Sequence, residues 1–102
     1  MAWVWLWEPA APEGRPVPVP PEGLDIGRDP ACGLVLADAG ASRRHARLGH
    51  DGLGWVIEDL GSANGTWIGP ERVQVRRLQP GEPVRIGATT LVLAEEAPAA
   101  AP

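Results

Sequence analysis

The sequence predicts an all-β domain, a sandwich or barrel of short strands. Three observations predict it. Short apolar runs recur along the chain, each bounded by Gly, Pro, Asp or Asn. Gly (13) and Pro (12) fall mostly between those runs, where tight turns need them. No stretch carries the apolar period of an amphipathic helix. At 102 residues the chain has room for one core, and with 44% hydrophobic against 22% charged residues it is apolar enough to collapse.

The elements follow in order. Trp3-Val4-Trp5-Leu6-Trp7 reads as a strand, with the tryptophans on one face and Val4 and Leu6 on the other. The chain has no Phe or Tyr, so the Trp3, Trp5 and Trp7 stripe, with Trp55 and Trp67, is expected to pack the core. Pro9 to Glu13 reads as a turn. Arg15 to Val19 is a Pro-interrupted strand and belongs at a sheet edge. Leu24 to Arg28 is a short strand closed by Asp29-Pro30. Gly33 to Leu36 is another, followed by a loop from Ala37 to Ser42. His45 to Leu48 and Trp55 to Glu58 form a hairpin around Asp51-Gly52, a strong turn signal. Asp59 to Gly65 is a polar, Gly-rich loop. Thr66 to Ile68 and Arg72 to Val75 flank Gly69-Pro70, and Val84 to Ile86 and Thr90 to Leu93 complete the pattern. Cys32 reads as a small buried hydrophobe. Residues 1–94 are expected to be the domain, and 95–102, rich in Pro and Ala, a tail or linker.

Composition removes several function classes. The longest early apolar run, Ala2 to Trp7, is far short of the roughly 20 residues that span a bilayer, and no Lys or Arg precedes it. One cysteine makes neither an internal disulfide nor a structural zinc site, and His45 and His50 do not make a metal cluster. No metal or cofactor is expected, and a reducing, cytoplasmic location fits. The formal net charge of −4 argues against general nucleic-acid binding. Yet the segment from Arg28 to Arg47 holds Arg28, Arg43, Arg44 and Arg47 against only Asp29 and Asp38. All nine basic residues are Arg, whose planar fork suits phosphate or carboxylate.

The scarce residues concentrate in the same loops. Ser42 and Ser62 are the only serines and Asn64 the only asparagine. In chain order the motifs are Gly27-Arg28, Ser42-Arg43-Arg44-His45 and Asp59 to Thr66 (DLGSANGT). With these, the sequence resembles the forkhead-associated (FHA) domain, a phosphothreonine-peptide-binding family, over about residues 2–94. The resemblance implies an eleven-stranded β-sandwich of two twisted, mainly antiparallel sheets with the binding loops at one end. It implies a phosphopeptide site of Arg28, Ser42, Arg43 and Asn64, supported by Gly27, His45 and Gly65.

The chemistry agrees with that role. Phosphothreonine carries about −1.5 to −2 charges and three acceptor oxygens. Arg28 supplies a directional cation, Ser42 a hydroxyl and an N–H, and Asn64 an amide suited to peptide backbone. One of Arg43 and Arg44 is expected to face the phosphate or the residues after it, the other to be plain surface, as is Arg47. Gly65 is expected to take the positive φ of the turn. The sequence departs from the family at Ala63, where many members carry a hydroxyl, at Gly69-Pro70, and at Gly40, where some carry a peptide-reading Arg. The expected partner is a phosphothreonine-containing protein, the product of a Ser/Thr protein kinase, with no nucleic acid and no membrane insertion. The alternative is a phosphate-independent FHA-type interaction scaffold. An enzyme built on Ser42 and His45 lacks a third group to orient the imidazole and a nucleophile elbow.

Overall fold

The computed structural model describes residues 2–95. Eleven strands form two sheets, and no helix occurs among the described residues. They are β1 (Ala2–Glu8), β2 (Ala11–Val19), β3 (Leu24–Gly27), β4 (Leu34–Val35), β5 (Ala46–His50), β6 (Trp55–Asp59), β7 (Thr66–Ile68), β8 (Glu71–Val73), β9 (Val75–Arg77), β10 (Pro83–Ile86) and β11 (Thr89–Ala94). One sheet has the order β2-β1-β11-β10-β7-β8, the other β4-β3-β5-β6-β9. All pairings are antiparallel except β3 with β4. The fold class is therefore the one expected.

The core lies between the sheets and is almost wholly aliphatic. Leu6, Ile26, Leu34, Leu36, Leu48, Ile57, Val84 and Ile86 are all nearly inaccessible to solvent. Each such side chain stabilises the fold by about 1.5–3 kcal/mol relative to exposure. The tryptophan stripe does not lie there. Trp3, Trp5 and Trp7 are half-buried on the outer face of the six-stranded sheet, and Val4 and Leu6 take the core. The cause is visible in β11, where Leu91 and Leu93 point inward and sit in register with Leu6 and Val4. The strand can satisfy only one face, and β11 selects it. The indoles pack outside, Trp5 stacked on Trp7 with ring centroids 6.1 Å apart and Pro18 and Pro16 opposite Trp3 and Trp5. Of the tryptophans, Trp55 does reach the core.

Two other elements depart from the sequence reading. The expected turn from Pro9 to Glu13 contracts to Pro9-Ala10, because β2 begins at Ala11. The expected strand from Arg72 to Val75 divides at Gln74 between the two sheets, β8 pairing with β7 and β9 with β6. That crossing lets one short segment serve two layers. β2 lies at a sheet edge, as its prolines require. Trp3 and Ala94 are register partners, so β1 begins where β11 ends. The β3–β4, β4–β5 and β6–β7 loops gather at the opposite end of the sandwich, with the β10–β11 turn beside them. Of the tail expected at 95–102, residues 96–102 lie outside the described residues.

Candidate functional site

The strand ends position the site. Gly27 closes β3 with no room for a side chain, since a Cβ there would lie 2.0 Å from the Arg43 carbonyl oxygen. The two segments run together because of it. The Arg28 N–H donates to the Ser42 carbonyl (3.1 Å) and the Asp29 N–H to that of Arg43 (3.0 Å). The Arg28 side chain is exposed, and its Nε donates to the Ala41 carbonyl. That bond fixes the guanidinium and leaves both terminal nitrogens without a partner among the described residues.

His45 lies beneath, with no solvent exposure. Its Nδ1 accepts the Ser42 N–H (3.0 Å), so the ring proton sits on Nε2, which donates to the Gly65 carbonyl (2.8 Å). One imidazole thus joins the β4–β5 and β6–β7 loops. The Ser42 hydroxyl oxygen accepts the Ala63 N–H (3.1 Å), making a second link between the same loops. Asn64 makes a third, its amide donating to the Gly40 carbonyl (2.9 Å). Gly65 takes φ +89, and a Cβ there would meet the Arg72 side chain at 2.6 Å. The structure therefore brings Gly27, Arg28, Ser42, His45, Asn64 and Gly65 to one end of the sandwich.

The arginines separate by partner. Arg44 bonds Asp25 at 2.6 Å and Arg47 bonds it at 2.9 Å, on the flank of β3. Hydrogen bonds from Arg44 and then Arg47 hold the Asp25 carboxyl below its ordinary range. Arg43 is exposed and makes no side-chain hydrogen bond or ion pair with any described residue. Cys32 is buried, with its Sγ donating to the Arg43 carbonyl (3.4 Å).

Two carboxylates that the sequence reading did not single out hold these loops. Asp59 accepts the N–H groups of Gly61 and Ser62 and the hydroxyls of Ser62 and Thr66, at 2.6–2.9 Å. The Ser62 Oγ in turn accepts the Gly65 N–H (2.9 Å). Asp38 accepts the N–H of Gly40 (2.8 Å), the N–H of Ala88 (2.9 Å) and the Thr89 hydroxyl (2.7 Å), tying the β4–β5 loop to the β10–β11 turn. Burial would raise both carboxyls, but these donors outweigh it and hold both below the ordinary value. The signal was present in the sequence as Asp-x-Gly and Asp-x-x-Ser, spacings at which Asp binds backbone ahead of it.

The FHA domain family model matches residues 24–87, which include every one of these loops. The chain belongs to the FHA domain family. This FHA domain is 49% identical over 69 residues to FhaB, an FHA domain-containing protein of Mycobacterium tuberculosis, covering 67% of the chain and 44% of the relative. It spans less than half of that relative's length. Among solved structures it resembles Mycobacterium tuberculosis EmbR in complex with a low affinity phosphopeptide, at TM-score 0.82 and 31% identity over 97% of this chain and 26% of that one. A structure from a structural and functional analysis of phosphothreonine-dependent FHA domain interactions matches at TM-score 0.79 and 29% identity, over 93% of this chain and 98% of that one.

Proposed function

We propose that this FHA domain recognises phosphothreonine in partner proteins, in signalling or assembly that depends on a Ser/Thr kinase. One observation carries the reading. The Arg28 guanidinium is oriented by a backbone carbonyl, faces no carboxylate among the described residues, and lies in the loops held by Ser42. The Ser42 oxygen already accepts from Ala63, so its own proton is available to donate. A doubly charged, acceptor-only group matches that pair. Asn64, fixed against Gly40, would hold the ligand's backbone, and Arg43 would add an unpaired cation.

Phosphopeptide in the EmbR complex and phosphothreonine dependence in the second structural relative support this reading. The phosphothreonine is supplied from outside these 102 residues. Thr66 and Thr89 are fully buried, and Thr90 lies within β11 between Trp7 and Arg85. A binding role is also supported by His45 meeting the Ser42 N–H and not its hydroxyl, which leaves Ser42 without a base to activate it as a nucleophile. No helix among the described residues is long and apolar enough to cross a membrane. A cytoplasmic setting is part of the proposal. The phosphate-independent scaffold is favoured by Ala63, which brings a methyl where a hydroxyl would help, and by Gly40, where a peptide-reading Arg is missing.

The test is a calorimetric titration of a degenerate phosphothreonine peptide library against its unphosphorylated counterpart. Binding confined to the phosphorylated library supports the reading. Equal affinity for both overturns it in favour of the scaffold.

A further inference from the structure

Four of the nine arginines have no carboxylate partner among the described residues. Arg15, Arg44, Arg47, Arg76 and Arg77 are ion-paired, and Arg28, Arg43, Arg72 and Arg85 are not. Arg28 and Arg43 belong to the loops described above. Arg72 and Arg85 lie on strands of the adjoining sheet, on either side of Trp67. Cross-strand register places Arg85 opposite Trp67 and Trp67 opposite Arg72, so all three side chains share one face. It is the outer face, because Thr66 and Ile68 point into the core.

This row is joined to the loops. The Trp67 indole N–H donates to the Asn64 carbonyl (2.9 Å). Arg72 Nη2 donates to the Ser62 carbonyl (3.3 Å), and its stem fills the space where a Gly65 side chain would stand. The Arg85 guanidinium carbon sits 5.7 Å from the Trp67 ring centroid. An indole between two exposed arginines holds them apart from each other and oriented. The nearby carboxylates cannot answer them, since Asp38 and Asp59 are turned inward and taken up by loop donors.

We propose that Arg72, Trp67 and Arg85 form a second subsite that binds acidic side chains flanking the phosphothreonine on the same peptide. The inference rests on the phosphopeptide reading. It adds a preference that Arg28 and Ser42 do not set: carboxylates on the side of the peptide that passes over Asn64 and onto the outer face. Exposed ion pairs are individually weak, so each arginine contributes about a threefold change in affinity at low salt, fading as salt rises.

The experiment uses three peptides of one backbone: phosphothreonine with neutral flanks, with glutamates on the N-terminal side, and with glutamates on the C-terminal side. Affinities are measured for the wild-type chain and for Arg85→Gln, Arg72→Gln and Arg85→Glu. One glutamate series should bind the wild type several-fold more tightly than the neutral peptide. Arg85→Gln should remove about threefold of that gain, Arg85→Glu should reverse it, and neither should alter neutral-peptide binding. Arg85 lies on β10 over Trp67 and makes no side-chain hydrogen bond or ion pair to the loops among the described residues, so its variants remain informative even where Arg72→Gln disturbs Gly65. Equal binding of all three phosphopeptides by the wild type overturns the subsite alone. A gain that survives Arg85→Glu and Arg72→Gln also overturns it. Failure of the neutral phosphopeptide to bind overturns the functional reading and the subsite together.

Discussion

Arg28 and Arg44 differ in what the fold gives each of them to hold. Arg44 is committed to Asp25, whereas Arg28 meets only a carbonyl. Arg28→Ala should therefore weaken phosphopeptide binding by at least ~1.5–3 kcal/mol, the scale of a charge-assisted hydrogen bond. Arg44→Ala should leave it unchanged, and calorimetry on one peptide compares the two. His45→Ala should act through the scaffold. It strands the Ser42 N–H and the Gly65 carbonyl, costing ~1–3 kcal/mol of stability. The melting temperature should fall together with affinity; an unchanged melting curve with lost binding would place His45 against the ligand. Ala63→Thr tests the opposite direction. The residue is exposed and its N–H is already bonded to Ser42, so the loop is formed but one hydroxyl short. Restoring it should tighten phosphopeptide binding by roughly 1 kcal/mol, below the full value of a bond to a charged group because the side chain must be ordered. No gain with the fold intact would show that position 63 faces away from the phosphate.

At the scale of elements, the end of β3 and the β4–β5 loop act as one unit because Gly27 allows contact. Gly27→Ala drives a methyl against the Arg43 carbonyl, and the backbone must part. A cost of about 1–3 kcal/mol is expected, with melting temperature and affinity falling together. The motif residues were legible because Ser42 and Asn64 are scarce and all three fall between strands, Arg28 directly after the short strand Leu24 to Gly27, Ser42 and Asn64 in polar loops. The strands were legible wherever one face alone was apolar. β1 was legible as a strand but its buried face was not, because both of its faces are apolar and only its pairing with β11 decides between them. The break at Gln74 was hidden for a related reason. Alternation continues through Arg72, Val73, Gln74 and Val75, and nothing local tells one sheet from the other. Arg72 was not singled out, and Trp67, expected in the core, lies half-buried on the outer face; their place beside Asn64 depends on β7–β8 register, a long-range fact. At the edge, Pro16 and Pro18 remove N–H donors from β2, so this strand is a poor template for a further strand.

The whole molecule depends on buried carboxylates remaining charged. Asp38 and Asp59 both titrate below the ordinary carboxylate value of 3.8 in the folded state. At pH values between the folded and unfolded values the unfolded chain binds more protons, so stability rises with pH across that window. Their contribution is complete above the unfolded value and is lost as pH falls through the folded one. Melting temperature should thus hold steady above about pH 5 and drop below about pH 4. Asp59→Asn should melt lower at neutral pH and show a shallower acid decline; an equally steep decline in that variant would assign the effect to other groups.

The register of Trp3 with Ala94 has a practical consequence. A chain joined before β1 and a chain joined after β11 would leave side by side, on the far side of a body measuring 34 × 32 × 29 Å from the loops. The protein is in effect a plug with both wires at its back. Anchoring it to a sensor surface through either wire should present the same unobstructed front, and a peptide in solution should dock with equal affinity in both orientations of attachment.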